Sequence, residues 1–439
     1  RTFRLERNYR STQTIVNAAN SLIAHNEGRI PKQCVSMGEK GEPIHLVRAY
    51  TEQEEAMQIA SAILERMRAE QAEYEDFAVL YRTNSQSRSL EETLRRRNIP
   101  YMIYSGNSFF ERAEVKDLMA WFKLSVNTND DESFKRAIGK PARGIGDTTL
   151  AVLETFARQK GLSLFRAVYA EELLAALREA AVRKLRDFCG LVSGFAEAAR
   201  TQDAADVAKR IADESGLYPF YKADNSVEGL SRTANVEELI NSVAAYVDEI
   251  VEEAENNGDE APVVTLSEYL ENVSLLSSVD VQEDEDDSNR VAMMTVHSAK
   301  GLEFPYVLIV GLEENLFPSV NMLSSAQDIE EERRLFYVAL TRAKKDVVLS
   351  HCYDRMRNGR HESNAPSRSL REIDPRFETP AANNLVLQTI PALVFGFPVL
   401  LLMGFAPQSL TNTLISVGIM VVVLAIFVLF IFRKPRQKV

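Results

Sequence analysis

The chain has 439 residues, is 45% hydrophobic and 26% charged, and carries a net charge of −12, which is ordinary globular usage with room for about three domains of ~150 residues. Its three cysteines (Cys34, Cys189, Cys352) show no CxxC spacing and its five histidines no HxxxH or HExxH spacing; that excludes a disulfide framework or a sequence-local zinc site and fits a reducing cytosol. The last 59 residues hold four bases (Arg433, Lys434, Arg436, Lys438) and no acid, so the rest is more acidic than the whole, and a nucleic-acid site would have to be a local basic groove.

The first residue is Arg1, no signal-peptide pattern follows, and the chain is expected to be a piece of a longer polypeptide. Residues 1–104 alternate helix signals (12–25, 52–73, 85–98) with strand signals ("PIHLVRAY", 43–50; "FAVLYR", 77–82). That rhythm predicts a parallel sheet with covering helices. "NYRSTQ" (8–13) sets Tyr9 and Arg10 just before the first helix, with Ser11 or Thr12 as its N-cap. Such a helix start attracts anions, and an aromatic beside it could stack on a base. The plainer reading is a capping turn with a solvated arginine.

Residues 105–280 read as mostly helical, entered through Gly139, Pro141, Gly144 and Gly146. "VQEDEDDSNR" (281–290) reads as an acidic linker. The αβ rhythm returns at "VAMMTV", "YVLIVGL", a helix over 330–345 and "DVVLSHCY". The expected architecture is one α/β domain interrupted by a helical insertion. Two uncharged runs, 385–405 and 413–432, each reach the ~20 residues that cross a bilayer. They are expected to form a transmembrane hairpin, a buried soluble hairpin being the alternative. The basic tail "RKPRQK" would place both the C-terminus and the body on the cytoplasmic side.

No GxxxxGK[ST] phosphate loop occurs, and "IGKPARG" (138–144) lacks its first glycine. Asp248 and Glu249 lie in a helical pattern and make no metal site. Within "EEERRLFYVALTRAKK" the residues Leu335, Val338, Ala339 and Arg342 fall at i, i+3, i+4 and i+7, which puts an arginine on an apolar helix stripe. Such an arginine needs a carboxylate or phosphate partner: either a structural ion pair or an arginine finger aimed at a γ-phosphate. In "TVHSAKGLEFPYVLIVGL" (295–312), Thr295, His297 and Ser298 stand at a strand end, where α/β ligand sites lie. Taken alone, His297 reads more plainly as a structural histidine. Glu303 could accept from a ribose hydroxyl or be a surface acid.

Taken in order, "LERNYRST", "FAVLYRTNSQSRSLEETL", "SGNSFFERAEVKDLMAW", "ARGIGDTTL", "MTVHSAKGLEFPYVLIVGLEENLFP" and "EEERRLFYVALTRAKK" resemble the C-terminal half of a UvrD/Rep-type superfamily 1 DNA helicase, over about residues 1–377. The resemblance implies an α/β fold: a RecA-like motor domain, 2A (1–104 and 288–377), interrupted by a mostly helical insertion, 2B (105–287). It implies an ATP-dependent enzyme that walks 3′→5′ on single-stranded DNA, meets single-strand/duplex junctions, and uses ATP and Mg2+. The first motor domain, bearing Walker A and B, would precede Arg1, and this chain alone would be inactive. Carried over onto matching positions, Tyr9 would stack on adenine, Arg10 and Arg342 would reach the γ-phosphate, and Glu303 would contact the ribose. Thr295 and His297 would line the single-strand track, with Thr83, Asn84 and Arg88 near its phosphates. Gly144, Ile145 and Gly146 would touch duplex. The membrane spans are foreign to the family pattern. The alternative function is a membrane-tethered, non-catalytic DNA-binding or protein-interaction module.

Overall fold

The apolar runs at 77–82, 291–296 and 306–312 become central strands, because a run apolar on both sides can be satisfied only between two helical layers. The computed structural model describes residues 6–29, 32–104, 106–278, 289–319, 325–357 and 360–379, all within one unit that ends at Pro380. Its strands are β1 (Arg7–Asn8), β2 (Val35–Ser36), β3 (Ile44–Ala49), β4 (Phe77–Tyr81), β5 (Tyr101–Ile103), β6 (Val291–Thr295), β7 (Phe304–Ile309), β8 (Ala343–Cys352), β9 (Asp354–Arg357), β10 (Arg360–Ser363) and β11 (Glu378–Thr379). Seven of them form one sheet in the order β11-β3-β8-β7-β4-β6-β5, every neighbouring pair parallel. All amino ends therefore share one edge of the sheet and all carboxyl ends the other.

Helices α1 (Gln13–Ile23), α2 (Glu52–Glu70) and α3 (Ser87–Arg96) alternate with the first strands. One sheet face packs Ile15, Leu22, Phe336 and Leu340; the other packs Ile59, Ile63, Leu90 and Leu94. Between β5 and β6 the chain leaves the sheet for, among the described residues, ten helices: α4 (Ala113–Val126), α5 (Asp131–Gly139), α6 (Asp147–Lys160), α7 (Leu164–Ala167), α8 (Leu173–Ala176), α9 (Glu179–Thr201), α10 (Ala204–Glu214), α11 (Leu217–Lys222), α12 (Val227–Asn257) and α13 (Leu266–Ser278). They enclose a separate core around Trp121, Phe134, Phe188 and Phe195. Helices α14 (Ala326–Leu340) and α15 (Arg368–Arg371) follow β7 and β10.

Two expectations are corrected. Among the described residues no helix is long and apolar enough to cross a membrane, so the fold class found there is α/β with a helical insertion and the expected transmembrane hairpin is not supported; the segments 385–405 and 413–432 lie outside the described residues. The helix expected over 330–345 stops at Leu340, with Thr341 as its C-cap. Residues from Ala343 onward pair with β7 instead, so Arg342 stands in the turn between helix and strand and not on a helical stripe.

Candidate functional site

At the amino edge, the turn before β8 meets the segment before α1. Asn8 Oδ1 accepts from the backbone N–H groups of Arg10 and Ser11, each at 2.9 Å, an Asx-type turn that throws Arg10 outward. Ser11 Oγ donates to the Ala343 carbonyl at 2.6 Å and the Thr12 N–H to the Lys344 carbonyl at 3.1 Å. These bonds bring Arg10 beside Arg342. The expected anion site at the start of α1 is absent for a local reason: Thr12 makes no side-chain cap, and the N–H groups of Gln13 and Thr14 donate to the carbonyls of Glu39 and Lys40. Gly41, at φ +76°, allows that loop to lie over the helix start; a Cβ there would fall 2.4 Å from Thr12 Cβ.

Arg10 Nε binds Glu303 Oε2 at 2.5 Å, and Lys344 Nζ binds Glu303 Oε1 at 3.0 Å. Arg342 is held differently: Nε donates to the Val338 carbonyl (3.0 Å), Nη1 to the Leu302 carbonyl (3.1 Å) and Nη2 to Thr341 Oγ1 (3.2 Å). Every acceptor is neutral. Three cations thus gather around one carboxylate, at the rim of the sheet and partly in solvent. Partial burial and then the like charge of Arg10 lower the Arg342 guanidinium below its usual range, while Glu303 opposes them. Hydrogen bonds from Lys344 and Arg10 hold the Glu303 carboxyl below its ordinary value. Tyr9 stands next to the cluster, 75% exposed. Excess positive charge on oriented guanidinium groups, with a free aromatic alongside, suits a polyphosphate that carries a base.

The opposite, carboxyl edge holds the other predicted residues. Thr295 ends β6, and its Oγ1 lies 3.0 Å from Ser298 Oγ; His297 is exposed in the same turn. Partial desolvation and the charge of Arg82 lower the His297 imidazole. Thr83 and Asn84 follow β4 in a tight turn built on Gln86, whose Oε1 accepts from the N–H groups of Arg82 (3.0 Å) and Thr83 (2.9 Å). Arg88 is not with them. It is 3% exposed and gives each nitrogen to a carboxylate: Nε to Glu238 (2.6 Å), Nη1 to Glu92 (3.0 Å) and Nη2 to Glu52 (2.8 Å). It ties α3 to α12 and has no nitrogen left for a DNA phosphate. Gly144, Ile145 and Gly146 lie apart on the insertion, immediately before α6, with Gly144 at φ +68°. Arg143 anchors that loop: its guanidinium stacks 4.8 Å from the Trp121 ring and donates to the carbonyls of Ala137, Pro141 and Ser215, and burial lowers it to about 10.

Sequence reading missed Lys344 and Thr341, although both flank Arg342. The i, i+2 spacing of Arg342 and Lys344 along an extended chain was the available signal. It also missed Arg82, which pairs with Glu332 through Nη2 at 2.8 Å. One buried group of metal-donor types occurs among the described residues, Glu55, Glu313 and Cys352. Arg355 fills its centre, donating to Glu55 Oε2 at 2.7 Å and Glu313 Oε1 at 2.8 Å, so a metal does not fit there.

The described residues thus form a parallel sheet with cations gathered at one edge, polar turns at the other and a helical insertion between β5 and β6. Residues 3–354 match the UvrD-like helicase C-terminal domain, and the chain belongs to that family. It is 36% identical over 371 residues to the ATP-dependent DNA helicase PcrA of Staphylococcus aureus (strain Mu50), covering 84% of this chain and 49% of that protein. It is 35% identical over 384 residues to the PcrA of Leuconostoc citreum, covering 88% and 50%. The chain spans about half the length of the curated relatives it matches.

Proposed function

We propose that this chain is the second-motor half of an ATP-dependent DNA helicase, and that its Arg10 and Arg342 complete an ATP site whose phosphate loop belongs to a second motor domain. The observation that carries this reading is the bonding of Arg342: an oriented guanidinium with three neutral acceptors and, among the described residues, no carboxylate of its own. Arg143 also bonds only carbonyls, but it stacks on the Trp121 ring inside the insertion; Arg342 instead lies beside a second cation, Arg10, and the exposed Tyr9, with its charge unneutralised.

On this reading the γ-phosphate of ATP meets Arg342 and Arg10, Tyr9 stacks on adenine, and Glu303 meets the ribose. Glu303 must then release Arg10 in part as the phosphate arrives. Arginines that approach only when the two motors close stabilise charge that grows in the transition state, an effect on the order of 10³–10⁵ in rate. Mg2+, when bound, would neutralise phosphate charge; its acidic ligands and the phosphate-loop lysine are assigned to the other motor domain, since no GxxxxGK[ST] occurs in this sequence. Thr83, Asn84, Thr295 and His297 face the single strand across the sheet, and the Gly144–Gly146 loop meets duplex. Alternate closure and release at the amino edge then moves the carboxyl edge 3′→5′ along the strand.

The test is reconstitution. This chain, mixed with a separately expressed phosphate-loop motor domain, is expected to give ATP hydrolysis stimulated by oligothymidylate, with neither part active alone. Brisk hydrolysis by this chain alone, or DNA binding with no response to nucleotide in the mixture, would defeat the reading.

A further inference from the structure

Helix α14 touches both edges of the sheet. At its C-terminal end, Thr341 gives its carbonyl to Arg10 Nη1 at 3.4 Å and its hydroxyl to Arg342. That hydroxyl also bonds the Tyr337 and Val338 carbonyls, each at 3.0 Å, so the arginine turn is fastened to the last helical turn. Toward its other end Glu332 takes the Arg82 fork: Nε lies 3.2 and 3.1 Å from the two carboxylate oxygens, and Nη2 lies 2.8 Å from Oε1. Glu332 Oε2 also accepts from the Ser319 N–H at 3.2 Å. Arg82 is the first residue after β4, shares the Gln86 acceptor with Thr83, and is the cation that acts on His297.

Both members of the pair are buried, with side-chain exposures of 9% and 6%. A buried ion pair rarely holds two elements together better than an apolar pair of equal volume. What a two-pronged pair adds is direction: it fixes the rotation and axial position of α14 against the end of β4, where apolar side chains could slide. From Glu332 to Thr341 the helix rises about 13 Å as one hydrogen-bonded rod.

We propose that Arg82 and Glu332 are a positioning pair: they lock α14 to the 82–86 turn, so that a shift of Arg342 at the nucleotide edge is delivered to Thr83, Asn84 and His297 at the DNA edge. This rests on the functional reading above. The pair touches neither nucleotide nor DNA itself; it acts by making the helix and the turn move together.

The decisive variant is R82M/E332L, which removes both charges at similar volume and leaves no orphaned charge in the interior. In the reconstituted mixture, the proposal expects ATP hydrolysis without DNA to stay within about twofold of the unaltered protein, and stimulation by oligothymidylate to fall about tenfold. The thermal midpoint is expected to be unchanged. E332Q keeps the shape and one acceptor, and should lose stimulation only in part. Undiminished stimulation in the double variant overturns the proposal. So does equal loss of basal and stimulated rates at an unchanged thermal midpoint, which would make the pair a support of the nucleotide edge alone. Absence of ATP hydrolysis in the unaltered mixture sinks the parent reading instead, and the two failures are thereby told apart.

Discussion

The arginines at the amino edge of the sheet and those beneath the insertion contrast sharply. Arg10 and Lys344 share a single exposed carboxylate, Glu303, and Arg342 beside them bonds only neutral oxygens. Arg88 and Arg355 are buried among five: Glu52, Glu92 and Glu238 around the first, and Glu52, Glu55 and Glu313 around the second. The residue type is the same and the use is opposite. Inside, a guanidinium is a hub that neutralises acids which could not otherwise be buried. At the rim, cations in excess of acids store an electrostatic demand that only an incoming anion meets. The difference lies in the count of carboxylates within reach, and it predicts which substitutions harm chemistry and which harm the fold.

The largest effect is expected from Arg342→Ala. Hydrolysis by the reconstituted mixture should fall by about 10³–10⁵, with the thermal midpoint nearly unchanged because only bonds to neutral oxygens are lost. A protein that instead unfolds would erase the contrast. Next comes Arg355→Leu, which leaves Glu55 and Glu313 facing each other without a cation. Stability is expected to drop by about 3–5 kcal/mol in urea unfolding, while any chain that remains folded retains its DNA binding.

A smaller effect separates the crowded hub from an ordinary ion pair. Burial, and then repulsion from Glu52, push the Glu238 carboxyl from 4.5 up to about 7, with Arg88 opposing. The folded chain then holds a proton that the unfolded chain has already released. Its contribution is fully present below the unfolded value and is lost as the pH rises through about 7. Stability attributable to this group should fall by about 1 kcal/mol per pH unit across that window, and Glu238→Gln should flatten the slope. An unchanged slope in that variant would mean that all three carboxylates are ionised around Arg88. The smallest effect is Tyr9→Ala. An exposed ring adds nothing to the fold, so the midpoint should hold, while nucleotide affinity in the mixture falls by about 1 kcal/mol.

Much of the fold was legible in the residue pattern. The strand over 77–82 and the helix over 52–73 appear as Phe77–Tyr81 and Glu52–Glu70, since alternation and a 3.6-residue period are set by near neighbours. The site was legible in part. Tyr9, Arg10, Glu303 and Arg342 do come together, whereas Arg88 goes inside. Two of its three partners lie 36 and 150 residues away in sequence, and nothing in "QSRSLEETL", which holds only the third, Glu92, announces them. The start of α1 looked open to an anion because its lid, the 38–41 loop, closes it with backbone bonds that carry no residue signature.

By itself, then, the sequence determined the order of strands and helices, the family, and the kinds of side chain available at each turn. These follow from local periodicity and from motifs whose residues are close together. Only the tertiary structure decided which cations are spent on the protein's own carboxylates and which stay unspent. That balance depends on distances between residues up to 303 positions apart, and charge is neutralised by whatever is near in space.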